Sequence, residues 1–145
     1  MRLHRLYLEK LRWCRISVRI NMANIDKEFK QLLVDRPLTE EEMFLARWML
    51  ENGNSEAALF ISQLEKARVV GLCGCGCPTI DFKVEGFPDP AGGVQILAEY
   101  RFGTDEDPAD IFIFERSGIL SGFEVCSYGD GPVRILPQPS ELKLI

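Results

Sequence analysis

The chain has 145 residues, 46% of them hydrophobic and 27% charged, which suits one domain with one core and leaves no room for a second. Arg, Lys, Asp or Glu interrupts every long apolar run. No segment therefore offers the roughly 20 apolar residues of a membrane-spanning helix, and a cytoplasmic protein with no membrane partner is expected. The net charge of -5 divides into +5 over residues 1–21 and -10 over the rest; an acidic body repels phosphate backbones, which sets nucleic acid aside and points to a basic protein or a small cation as partner.

Residues 1–21, MRLHRLYLEKLRWCRISVRIN, are Arg-rich and nearly free of acids, whereas the chain from Met22 opens on the acidic MANIDKEFKQ. Such a segment fits an organellar targeting peptide or a translation start placed too early, and the abrupt change of charge at Met22 favours the early start. Residues 1–21 are read as a non-structural extension and residues 22–145 as a single α+β domain. The one histidine, His4, falls in that extension. Without a histidine in the body, Ser-His-Asp and Cys-His nucleophilic sites, His-ligated zinc and imidazole acid–base chemistry drop out together, and the balance leans away from an enzyme.

Asp26 precedes Phe29, Leu32 and Leu33, a spacing that predicts a short helix stopped before Pro37, because the residue ahead of a proline is pushed out of the helical region. Thr39 and Glu42 then form a capping box, each side chain satisfying a backbone N–H, with Leu38 and Met43 as an apolar staple. The helix begun there carries Phe44, Leu45, Trp48 and Met49 on one face. It ends at Asn52-Gly53, where glycine is expected to take the left-handed cap conformation. Ala57, Phe60, Ile61, Leu64 and Ala67 recur at three and four residues, which predicts a second amphipathic helix capped by Asn54 or Ser55, and the two form an αα-hairpin.

From Val69 the period changes to two. Ile80, Phe82 and Val84 alternate with Thr79, Asp81 and Lys83, and Val94, Ile96, Ala98, Tyr100 and Phe102 alternate with Gln95, Glu99 and Arg101, as half-buried strands do. Ile111 to Phe114 is apolar on both faces and predicts a central strand, covered on both sides or lying in a homodimer interface. Ser117-Gly118 turns it into a strand from Ile119 to Tyr128. The expected fold is an α+β domain with an N-terminal αα-hairpin packed on one face of a four- or five-stranded antiparallel β-meander, followed by an extended tail with Pro132, Pro137 and Pro139.

One stretch is not explained by packing composition: Gly71-Leu72-Cys73-Gly74-Cys75-Gly76-Cys77-Pro78. Residues two apart on a strand stand about 6.6 Å apart, whereas thiolates on one zinc ion lie on the order of 4 Å apart, so a straight strand cannot gather the three cysteines. Glycine at both intervening positions permits a tight loop that can, and Cys126 on a neighbouring strand is a candidate fourth soft ligand. Cys73, Cys75, Cys77 and Cys126 are thus the candidate zinc ligands, although the paired C-x2-4-C knuckles of closed zinc sites are missing. The same thiols, as a closely spaced dithiol, would serve a redox role if a cation or helix N-terminus lowered a pKa. The competing reading is that small buried cysteines and glycines pack a tight corner. An odd count of five cysteines with no secretory leader points to reduced thiols.

The acidic residues Asp105, Glu106, Asp107 and Asp110 are the candidate contacts for a basic partner. They lack the spacing of a calcium loop, and their plain reading is a solvated turn. Three segments, Arg36-Pro37-Leu38-Thr39-Glu40-Glu41-Glu42, Cys73-Gly74-Cys75-Gly76-Cys77-Pro78-Thr79-Ile80-Asp81 and Phe123-Glu124-Val125-Cys126-Ser127-Tyr128-Gly129-Asp130, together resemble a family of small uncharacterised bacterial proteins described only as a domain of unknown function. The resemblance spans about Arg36 to Pro139, implies a bacterial cytosolic setting and carries no catalytic residue. The function expected from sequence is a non-enzymatic, immunity-like or regulatory protein-binding module with an acidic surface; the alternative is a cysteine-centred metal-binding or thiol-redox protein.

Overall fold

The computed structural model describes residues 31–129 and 131–145. The extension over residues 1–21 and the start of the helix expected at Asp26 lie outside them. The first described element is a strand, β1 (Gln31–Pro37), paired antiparallel with β2 (Ala67–Cys73) so that Gln31 faces Cys73 and Pro37 faces Arg68. This corrects the helix expected over Leu32 and Leu33. Those two leucines are 49% and 83% exposed, so their spacing marks no buried helical face; Val34 is the β1 residue that packs on the core. Proline is tolerated at the end of an edge strand, where its missing N–H interrupts no ladder.

Thr39 and Glu42 form the expected capping box at the start of α1 (Glu40–Glu51): Glu42 N–H donates to Thr39 Oγ1 at 3.1 Å and Thr39 N–H to Glu42 Oε1 at 2.8 Å. Arg36 donates to both oxygens of the same carboxylate, at 2.8 and 3.0 Å, and so ties β1 to the helix. Leu45, Ala46, Met49 and Leu50 form the buried stripe of α1, while Phe44 points to solvent. Gly53 follows the helix for a reason other than the one expected. Its φ is not left-handed; instead a Cβ there would lie 2.5 Å from the Leu97 carbonyl oxygen and 2.7 Å from Ala57 Cβ. It is a close-approach glycine under strand β4 (Val94–Gly103). The second helix shrinks to a 3-10 turn, Ala57–Phe60, and one α turn, α2 (Ile61–Leu64), and Ala67 belongs to β2.

The remaining strands are β3 (Ile80–Val84), β5 (Pro108–Arg116), β6 (Ile119–Ser127) and a short β7 (Lys143–Leu144). All seven make one antiparallel sheet in the order β1-β2-β3-β6-β5-β4-β7. The predicted four- or five-stranded meander with an N-terminal helical hairpin is therefore wrong. Two outer strands, β1 and β7, extend the sheet, and the chain leaving β3 passes beyond β6 and β5 to reach β4, then meanders back until β6 pairs with β3 through Ile80–Phe123 and Asp81–Gly122. One helix of three turns and a single α turn cover part of one face.

Alternation in β5 separates two apolar layers. Ile111 and Ile113 join Leu45, Met49, Phe82, Leu120, Phe123 and Val125 in the main core, and Phe112 and Phe114 pack with Cys126, Val94 and Tyr128 in a second cluster on the opposite side. The strand that reads as apolar on both faces is thus central. In β4 the predicted alternation breaks: a bulge between Ile96 and Ala98 leaves Ile96 exposed and buries both Leu97 and Ala98. Ser117 (φ 51°) and Gly118 (φ 80°) make the two-residue turn between β5 and β6, both left-handed as a type I′ hairpin requires.

Candidate metal centre

Strand β2 ends at Cys73. The chain then turns back at once: Gly76 N–H donates to the Cys73 carbonyl at 3.1 Å, and Gly76 takes φ 86°, a conformation that costs any residue with a Cβ. That turn does what a straight strand cannot. It folds Cys75 and Cys77 over the end of β2, and the sulfurs of Cys73, Cys75 and Cys77 all lie within 4.8 Å of one another. Cys73 Sγ and Cys75 Sγ are 3.2 Å apart, and Cys77 N–H donates to Cys75 Sγ at 3.4 Å. All three are free thiols, 3%, 8% and 9% exposed, and form an apolar cluster of their own beside the main core.

Two further residues hold this corner in place. Thr79 Oγ1 accepts the Val125 N–H at 2.9 Å and lies 3.2 Å from Cys77 Sγ, so one hydroxyl links the cysteine turn to β6 just before β3 begins. Arg134, from the proline-containing tail, donates from Nη1 to the Cys75 carbonyl at 2.8 Å, and a Cβ on Gly76 would collide with its guanidinium. Neither residue was signalled by sequence. Thr79 reads as one more polar position of an alternating strand, and Arg134 lies 59 residues from its partner.

Proximity divides the three thiols electrostatically. Hydrogen bonds from Cys73, then from Cys75, with Thr79 assisting, stabilise a thiolate on Cys77 and hold its pKa well below the usual thiol range despite burial. Cys73 moves the other way, raised by its hydrogen bonds to Cys75 and Cys77 and by burial. Cys75 is lowered by Cys73, but the bond to Cys77 and desolvation outweigh that and leave it raised. Three sulfurs at this separation can hold a metal ion.

The expected fourth ligand does not join them. Cys126 is fully buried against Phe112 and Phe114 in the second cluster and is not one of the free thiols. The acidic set separates as well. Asp105, Glu106 and Asp107 are exposed on the β4–β5 turn, but Asp110 sits on β5 at 0% exposure, bound by Arg101 at 2.9 and 3.2 Å and by the Tyr128 hydroxyl. It is a structural anchor, unreachable by a partner. A cleft of about 410 Å³ between β2, β3 and the loop before β4 is lined by Asp81, Lys83, Asp89 and Arg116, whose charges are already engaged: Lys83 with Asp89 at 3.5 Å, Asp81 with Gln31, Arg116 with the Gly92 carbonyl at 3.2 Å. Among the described residues no helix is long and apolar enough to cross a membrane. Comparison with known proteins yields no matching family model, no matching curated protein and no matching solved structure, so the reading of this centre stands on its own geometry.

Proposed function

We propose that this chain binds a soft metal ion of the zinc class through Cys73, Cys75 and Cys77. The observation that carries the proposal is the gathering of three free thiols within 4.8 Å by a turn that only glycine at position 76 accommodates without strain. Thiolates select soft ions such as zinc and monovalent copper. At a Zn–S distance of about 2.3 Å, tetrahedral geometry places the sulfurs about 3.8 Å apart, so Cys73 and Cys75 need to separate by only about half an ångström. A bound ion would pin the end of β2 to the start of β3, and its binding energy would add to folding stability.

The test is elemental analysis with thiol titration on the native full chain, before and after denaturation. One zinc-class ion per chain, lost in Cys75→Ser, is expected. Metal-free protein whose three thiols stay silent until unfolding would make the turn a packing device and refute the proposal. A dithiol redox role has the 3.2 Å approach of Cys73 and Cys75 behind it. Thiols that react in the native state without metal would favour it. The acidic interaction module has less support, since Asp110 is consumed by Arg101 and only the exposed Asp105, Glu106 and Asp107 remain to meet a partner.

A further inference from the structure

This inference rests on the metal reading above. A tetrahedral ion held by three thiolates has a fourth position to fill. Among the described residues no further Cys, His, Asp or Glu places a ligand atom within the Cys73, Cys75, Cys77 group. Thr79, which touches Cys77, is a neutral hydroxyl already accepting the Val125 N–H. The outer side of the turn is formed by Gly74 and Gly76, both exposed, so no side chain of the turn itself stands over the sulfurs there. Among the described residues, the charged group hydrogen-bonded to that turn is the exposed Arg134 guanidinium, anchored on the Cys75 carbonyl at 2.8 Å. Three thiolates around a divalent ion carry a net negative charge, and an anionic fourth ligand would add another; the adjacent guanidinium lowers the cost of admitting it.

We propose that the ion on Cys73, Cys75 and Cys77 completes its coordination with a small exogenous thiolate, admitted between Gly74 and Gly76 beside Arg134. In this step the bond from metal to a water oxygen breaks and a metal–sulfur bond forms. The thiol proton passes to bulk water, and no electron is transferred. A soft ion already on three sulfurs favours sulfur as the fourth partner. The recessed position of the cysteines, none more than 9% exposed, fits a low-molecular-weight thiol.

Cobalt(II), a spectroscopic substitute for zinc, is added to the full chain kept reduced with a phosphine, and 2-mercaptoethanol is then titrated in. The expected sulfur-to-cobalt charge-transfer intensity is that of three thiolates, rising to that of four as the thiol binds, with the visible bands shifting in step. Arg134→Gln should still bind cobalt but need several-fold more 2-mercaptoethanol for half the change, while its response to the neutral ligand imidazole matches the parent. A four-thiolate spectrum before any thiol is added would overturn the proposal by revealing a fourth cysteine within the chain, as would a three-thiolate spectrum blind to 2-mercaptoethanol. In both of those cases the metal site itself survives. No cobalt spectrum at all, or one unchanged in Cys75→Ser, overturns the metal reading and this inference with it.

Discussion

The conformation of Gly76 offers the sharpest test of how the thiols are gathered. Replacing it with alanine places a Cβ at φ 86°, where an L-residue pays about 1–2 kcal/mol for left-handed backbone. The Cβ would also displace the Arg134 guanidinium and its bond to the Cys75 carbonyl. Because Arg134 is exposed and can swing into solvent, that bond is worth about 0.5–1 kcal/mol, at the low end for a hydrogen bond. The total, about 1.5–3 kcal/mol, divides between two observables: a turn that keeps its geometry without metal loses apo stability, and a turn that relaxes loses metal affinity. Urea unfolding of the apo protein and competition with a zinc chelator measure the two parts, whose sum is the prediction. If all of it falls on affinity, zinc binding weakens by roughly 10- to 150-fold. Gly93→Ala, at a position outside the left-handed region with open space for a Cβ, is the control and should change both by less than about 0.5 kcal/mol. A Gly76→Ala protein with unchanged stability and unchanged affinity would refute the claim that this turn assembles the site.

Other expectations follow from the packing. Phe123→Ala removes a fully buried ring set edge-on to Phe82 at 6.2 Å and should cost about 3–5 kcal/mol in urea unfolding; a loss below about 1 kcal/mol would mean that the β3–β6 junction is not central to the core. Arg101→Ala strands the buried Asp110 with only Tyr128 for a partner, and should cost about 1–3 kcal/mol, against about 0–1 for Arg47→Ala in the exposed pair with Glu65; equal losses would argue against Asp110 as a buried anchor. Burial raises the Glu42 pKa, but the Arg36 hydrogen bonds and the Thr39 N–H outweigh it and leave the carboxylate below its ordinary range. A lowered folded pKa supplies stability that is present above the unfolded value of about 4.3 and lost as the pH falls through the folded one. Thermal melts should therefore lose less stability between pH 5 and pH 3, window limits of about one unit either side of that value, in Glu42→Gln than in the parent. Identical acid profiles would remove the linkage.

Local signals were legible where a few neighbouring residues decide the outcome. Thr39 and Glu42 need only each other to cap α1, Ser117-Gly118 needs only its own dihedrals to turn β5 into β6, and the alternation of Ile80, Phe82 and Val84 needs only one buried face. The readings failed where two segments distant in sequence meet. Leu32 and Leu33 form a helical spacing, but pairing with β2 makes them strand. The residues from Ala57 to Ala67 keep a helical period, yet Asn54 side-chain and backbone bonds to the β4 edge at Ile96 and Leu97 and the start of β2 at Ala67 leave room for little more than two turns.

The chemistry of the centre divides in the same way. From sequence alone follow the absence of histidine from the body, the three cysteines at alternate positions, and the glycines whose freedom allows them to converge, because each is a property of residue type and spacing. The tertiary structure alone decided that the turn closes, that Cys126 packs with Phe112 and Phe114 instead of completing the set, that Asp110 serves Arg101, and that Arg134 binds the Cys75 carbonyl. Those outcomes depend on which strands become neighbours, and strand order is set by burial summed over the whole sheet, a quantity that no window of the sequence contains.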